Sequence, residues 1–319
     1  MPTRRETVLD RKIHIHEALR DVPEVRPLCE QIAGLIARRV AVEDGTLYCE
    51  AQGAGTPLVL LSGGPGCSHH YFHPSFSRAA SFAQVIYYDQ RGTGQSDPDP
   101  TEERYALRQA VADLDRLRRE LGFEQWVVLG HSYGGFLAQC YALEHPDRVL
   151  GMVLVCTSFT LPQAELGPSR QWDFMSPEEQ ARIKAVRQEP GVPEEQRIFN
   201  AHLNGDWKRQ NYYRPSEEQL ARMVRYEWTP SPGFRERINE DWGDQLDFAG
   251  KFDDFAPPTL LVEARWDLTW GADKPQVLHR HLPRAQLTIF EASGHNPFDD
   301  EPEAFFSLLS SFMVREAAS

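Results

Sequence analysis

The chain has 319 residues, 41% of them hydrophobic and 25% charged, and its 47 acidic and 34 basic side chains leave a net charge of −13. A surface that acidic repels phosphate backbones and anionic membranes, which argues against nucleic-acid and membrane partners. The length suits one α/β domain carrying an insertion, large enough to bury a core without disulfide or metal staples.

The five cysteines, Cys29, Cys49, Cys67, Cys140 and Cys156, are odd in number and include no C-x-x-C pair. They read as free thiols in a reducing compartment. The charged start, "MPTRRETVLDRKIHIHEALRD", lacks the apolar core of a secretory signal. No run approaches ~18 consecutive apolar residues. A cytoplasmic location is therefore the expectation.

Residues 1–36 read as a helical extension, with Leu28, Ile32, Leu35 and Ile36 on one face. That face needs cover, from the body or from a second copy in a homo-oligomer. "ARRVAVEDGTLYCEAQG" reads as a hairpin turning at Asp44-Gly45. "PLVLLSG", "QVIYYDQ", "WVVLGH", "VLGMVLVC", "PTLLVEA" and "QLTIFEA" are short apolar runs of the kind buried on both faces of a parallel sheet. Helical stretches lie between most of them. "ALRQAVADLDRLRREL" has apolar residues at 107, 111, 114, 117 and 121, and "PEAFFSLLSSFM" is apolar-striped as well. Such alternation predicts an α/β fold with a mostly parallel sheet covered by helices on both faces.

The alternation stops between residues 159 and 254. This interval is polar, broken by prolines, and rich in Trp and Tyr. It reads as a helical cap inserted after the sixth strand, dividing a core of residues 37–158 and 255–319.

Four pieces of chemistry fall at strand ends, where open α/β sheets place their ligands. Ser132 sits in "GHSYGG" directly after a strand, at G-x-S-x-G spacing, where small residues at 130 and 134 let the chain make a tight elbow. "LSGGPG", residues 61–66, follows another strand, and its glycines allow backbone N–H groups to approach a ligand. Gly64 and Tyr133 are the expected oxyanion donors. Asp267 lies just past "TLLVEA", with Glu263 and Asp273 as competing acids, the first within the strand and the second near the next helix start. His295 lies between the last strand and the last helix. The order Ser132, Asp267, His295 is that of an α/β-hydrolase triad. An aspartate at the elbow, as epoxide hydrolases and dehalogenases require, is absent. No H-E-x-x-H or cysteine–histidine cluster suggests a metal, and "RGTGQS" does not complete a dinucleotide motif, so no cofactor is expected. His69, His70 and His73 read as loop residues near the pocket mouth.

"SGGPG", "YYDQRGTGQS", "GHSYGG" and "SGHNPF" resemble the α/β-hydrolase fold, and within it the proline iminopeptidase family, over about residues 40–158 and 255–315. The resemblance implies a serine hydrolase that releases an N-terminal residue such as proline from short peptides. Ser132 would be the nucleophile, Asp267 and His295 its partners, and Asp89 and Arg91 structural supports of the loops. The family holds the substrate amine with cap carboxylates. Glu227 and Glu240 are the candidates here, with Trp228 walling the pocket, although each glutamate equally suits a solvated helix face. Two positions depart from the family pattern: Ser62 replaces a histidine and Ala264 a glycine. Relatives with these motifs also include esterases, lactonases and amidases acting on specialised small molecules, and that alternative stays open.

Overall fold

The computed structural model describes residues 32–99, 101, 103–158, 176–192, 197, 212–213, 248, 250–269 and 273–316. Glu227, Trp228 and Glu240, Cys29 and most of residues 1–36 and 159–254 lie outside them.

Eight strands form one sheet: β1 (Ile36–Val42), β2 (Gly45–Gly53), β3 (Pro57–Leu61), β4 (Gln84–Tyr88), β5 (Trp126–His131), β6 (Val149–Val155), β7 (Thr259–Ala264) and β8 (Gln286–Phe290). Their spatial order is β1-β2-β4-β3-β5-β6-β7-β8. The β1–β2 and β2–β4 pairs are antiparallel and every other pair is parallel. The helices are α1 (Leu107–Glu120), α2 (Tyr133–Glu144), α3 (Pro177–Arg187), α4 (Lys274–His281), α5 (Pro297–Asp300) and α6 (Pro302–Glu316). This is the mostly parallel α/β architecture expected, and α3 lies in the interval after the sixth strand. No helix among the described residues is long and apolar enough to cross a membrane.

The pleat sorts each strand's side chains between two cores. Val59, Leu61, Trp126 and Val128 join Val111, Leu114 and Leu117 of α1 and Leu137 of α2 on one face. Leu58, Leu60, Val127 and Leu129 join Phe76, Phe298, Phe305 and Leu309 on the other. The continuous apolar runs of β3, β5, β6 and β7 follow from this double cover.

Three expectations need correction. Residues 32–35 form a bend and turn rather than a helix end. Gly34 takes a left-handed φ of +81°, and from Ile36 the chain pairs with β2. Cross-strand hydrogen bonds outcompete the apolar helical periodicity there. The hairpin loop is Glu43-Asp44, because Gly45 already pairs with Val42. Asp44 itself adopts the left-handed conformation, with φ 55°. Finally, β8 is an edge strand with its first four residues exposed or half-buried, unlike the buried strands it resembles in composition.

The passage from β5 into α2 is the tightest packing in the sheet. A Cβ on Gly134 would lie 2.0 Å from the Leu61 carbonyl oxygen, and one on Gly130 2.3 Å from the Gly134 oxygen. Both obstacles are backbone and cannot rotate away. Gly134→Ala is therefore expected to destabilise the fold by about 3 kcal/mol, whereas Gly63→Ala, whose nearest neighbour would be 3.0 Å away, costs less. Thermal melts followed by circular dichroism compare the two.

Candidate active site

Ser132 follows β5 and precedes α2 with φ 54° and ψ −122°. A serine in this region is strained, so the surroundings must hold it. Its N–H donates to the Val155 carbonyl at 3.0 Å, and its carbonyl accepts from Thr157 Oγ1 at 2.7 Å and from the Gly135 N–H at 2.9 Å. With both backbone polar groups engaged, the side chain projects from a fixed point at the carboxyl edge of the sheet.

Asp267 follows β7 and is almost fully buried. Its Oδ1 accepts the Thr269 N–H at 3.0 Å. Its Oδ2 lies 3.1 Å from His295 Nδ1 and 3.2 Å from Lys274 Nζ. Burial alone would raise this carboxyl, but the His295 and Lys274 charges and the Thr269 bond override it and hold it well below the usual carboxylate range. Of the two competing acids, Glu263 lies within β7, fully buried, and Asp273 stands at the start of α4. Asp267 is the one that meets the histidine.

His295 sits beside the elbow, its ring centroid 4.7 Å from that of His131. A buried chain of hydrogen bonds ties the loops together. The Gly63 N–H donates to Tyr71 Oη at 2.8 Å, Tyr71 Oη lies 2.9 Å from His131 Nδ1, and His131 Nε2 lies 2.8 Å from the His295 carbonyl oxygen. Tyr71 accepts from Gly63, so its own proton goes to His131 Nδ1. His131 is therefore the neutral Nε2–H tautomer and donates to His295. Burial, reinforced by the His295 charge, pushes the His131 pKa well below its ordinary value, in agreement with that assignment. Tyr71 takes the Gly63 N–H, which leaves Gly64 as the neighbouring loop amide. Gly64 has φ +114°, a conformation that suits glycine. Tyr133 is buried as the first residue of α2, with its backbone at the helix N-terminus.

Behind the glycine loop, His69 and His73 are fully buried rather than at a pocket mouth. His69 Nδ1 meets Asp89 Oδ1 at 2.8 Å, and its Nε2 faces Glu50 Oε2 at 3.5 Å; His73 Nε2 meets the same Glu50 oxygen at 3.0 Å. Burial lowers the His69 pKa, but the two carboxylates outweigh it and lift it to about 10, so His69 is an imidazolium between two anions. Glu50, His69 and His73 do bring three ligand-type atoms within 4.8 Å of one another. The ion pairs account for that proximity without a metal. Asp89 also accepts from the His69 and Gln95 N–H groups. Arg91 binds Asp113 with two 2.8 Å bonds and the Glu43 carbonyl with a third. Ser62, at the position of the family's histidine, donates to the Cys67 carbonyl and closes the loop on itself.

Among the described residues of the interval after the sixth strand, Tyr212 and Tyr213 reach the site. Tyr213 stacks on Trp266 at 5.3 Å, and its N–H donates to Asp300 Oδ2, which also accepts the Gly294 N–H at 2.7 Å. Burial raises the Asp300 carboxyl to about 6. Tyr212 Oη donates to Asp299, and a Cβ on Gly294 would collide with the Tyr212 backbone at 2.8 Å. Tyr212 and Tyr213 thus seat directly on the His295 loop. Of the residues expected from sequence, the structure brings Asp267 and His295 into contact, and the His295 carbonyl bonds His131, the residue before Ser132. Tyr71, His131 and Lys274 lacked a sequence signal, apart from His131 being the variable position of the G-x-S-x-G pattern.

Comparison with known proteins agrees with the fold. The family model described as alpha/beta hydrolase fold matches residues 56–302. A proline iminopeptidase of Lactobacillus delbrueckii subsp. lactis is 30% identical, with 84% of this chain and 95% of that protein covered. One from Clostridium botulinum is 28% identical, covering 83% of this chain and 92% of the relative. Among solved structures, an esterase from Exiguobacterium antarcticum superposes with a TM-score of 0.68 at 23% identity, covering 88% of this chain and 99% of the other. The chain belongs to the α/β-hydrolase fold family and is a hydrolase related to the proline iminopeptidases.

Proposed function

We propose that the protein is a serine hydrolase working through an acyl-enzyme, and that it is an aminopeptidase releasing an N-terminal residue such as proline from short peptides. The observation that carries the reading is the buried 3.1 Å contact of His295 Nδ1 with Asp267 Oδ2 beside a serine held at φ 54°. Asp267 orients the imidazole and stabilises its charged form. His295 takes the Ser132 Oγ proton as that oxygen attacks the scissile carbonyl. The Gly64 and Tyr133 N–H groups receive the developing oxyanion, where loss of one donor costs on the order of 10²–10³ in rate. The same proton passes to the leaving amine, and water, activated by His295, releases the acyl group. The peptidase reading rests on the relatives, and Glu227 and Glu240 are the proposed amine-binding carboxylates, with Trp228 against the substrate side chain. A buried ammonium needs such partners. The cap interval bounds the substrate to something small.

Three expected outcomes test this. Ser132→Ala lowers turnover of any cleaved substrate by on the order of 10⁴-fold or more and leaves the thermal midpoint intact; undiminished turnover removes Ser132 from the mechanism. Proline β-naphthylamide is cleaved and its N-acetyl form is not. Cleavage of neither, with Ser132-dependent hydrolysis of a p-nitrophenyl ester, favours the esterase, lactonase or amidase reading instead. Tyr71→Phe breaks the link between Gly63 and His131 and is expected to lower kcat about tenfold with KM little changed, about the cost of one or two net hydrogen bonds; steady-state kinetics on the same substrate read the split.

A further inference from the structure

Asp267 shares its Oδ2 between an imidazole and an ammonium. His295 Nδ1 approaches at 3.1 Å and Lys274 Nζ at 3.2 Å. Lys274 is 2% exposed, and it also lies 2.7 Å from Oε2 of Glu263, which is fully buried in β7. A lysine this deep is rare without a carboxylate partner, and this one has two. A conventional triad needs neither Lys274 nor Glu263.

The charges explain the arrangement. With His295 neutral, Glu263, Asp267 and Lys274 sum to one negative charge. With His295 protonated, as when it holds the serine proton, the four groups sum to zero. A buried cluster is best tolerated when its charges cancel, which is the state reached when the serine proton arrives. Among the described residues, the other titratable groups facing it are neutral: Cys156, after β6, is pushed well above the ordinary thiol range by burial, and His131, at the end of β5, is held neutral. Asp300, the last residue of α5, accepts the Gly294 and Tyr213 amides.

We propose that Glu263 and Lys274 are positioning residues for catalysis, with Lys274 fixing the Asp267 carboxylate and Glu263 cancelling the lysine charge so that His295 keeps its basicity. The proposal rests on the Ser132–His295–Asp267 reading of the site. Without Glu263, Lys274 pulls on Asp267 unopposed and the cluster carries a net positive charge once His295 is protonated. Without Lys274, Glu263 loses its partner. Burial favours its neutral form and the lysine opposes that, so without the lysine it takes a proton and leaves an ordinary Asp–His pair. Loss of the carboxylate is therefore worse than loss of both groups.

The test is kcat/KM for p-nitrophenyl acetate against pH, with a thermal melt for each variant. Glu263→Gln is expected to lower the plateau at least tenfold and to move the acid limb to lower pH by about one unit, the shift a nearby uncompensated like charge produces. Glu263→Gln combined with Lys274→Met restores the plateau to within about threefold of the parent and returns the limb. An acid limb unmoved in Glu263→Gln, while turnover still depends on Ser132, overturns the pair's role alone. Turnover indifferent to Ser132→Ala overturns the site reading and the proposal with it. Should Glu263→Gln fail to fold, the double variant decides: a folded double variant with a tenfold or greater loss refutes charge balance.

Discussion

The left-handed backbone of Ser132 is the constraint on which the rest of the molecule depends. A non-glycine residue there costs on the order of 1–3 kcal/mol, and it stays only because the surroundings leave no alternative. The Val155 carbonyl and Thr157 hydroxyl grip the Ser132 backbone from the neighbouring strand end. Gly130 and Gly134 let α2 sink against β5 and β3 to the point where a methyl group at 134 would meet the Leu61 oxygen at 2.0 Å. Gly135 does the same against the Thr157 side chain. The apolar runs of β3, β5 and β6 are buried on both faces, so these strand ends cannot shift to relieve the strain. Sheet rigidity is thus converted into the placement of one hydroxyl.

That placement is useful only if the glycine loop and the histidine loop hold the same frame. The chain from Gly63 through Tyr71 and His131 to the His295 carbonyl provides it. Each proton direction follows from the one before, and the whole chain fails if His131 becomes charged, since Nδ1 would then face the Tyr71 proton with one of its own. Burial keeps it neutral. The residue between Gly130 and Ser132 is therefore no passive spacer. It joins the loop carrying the proposed oxyanion donors to the loop carrying the proposed base.

Much of this was legible in the sequence, for a physical reason: strands buried on both faces must be apolar throughout, and sharp strand-to-helix turns must be glycine-rich. The sheet, the elbow and the order of serine, acid and histidine all leave such traces. The misses also have causes. Residues 32–36 had helical periodicity, yet pairing with β2 and the left-handed Gly34 decided their structure. His69 and His73 looked like loop residues because burial of a histidine depends on partners distant in sequence: Glu50 is on β2 and Asp89 follows β4. Lys274 was invisible for the same reason, as a charged residue on an amphipathic helix is normally solvated. The proposed substrate-binding residues Glu227, Trp228 and Glu240 leave the weakest trace of all, because residues that answer to ligand shape are marked by no backbone periodicity.

The two buried charge groups flank the site and do different work. In front, His69 lies between Glu50 and Asp89, and the trio binds the 3₁₀ turn that follows the glycine loop to β2 and to the strand end after β4. Its charges are static, since an imidazolium with a pKa lifted to about 10 does not titrate where a hydrolase works. Behind the acid, Glu263 and Lys274 adjoin the histidine proposed to change charge in every turnover. Apolar residues could pack either place at no greater cost in stability. They would neither hold a loop by directional bonds nor answer a proton arriving at His295. Directional fixation explains the first cluster, and compensation of a moving charge explains the second.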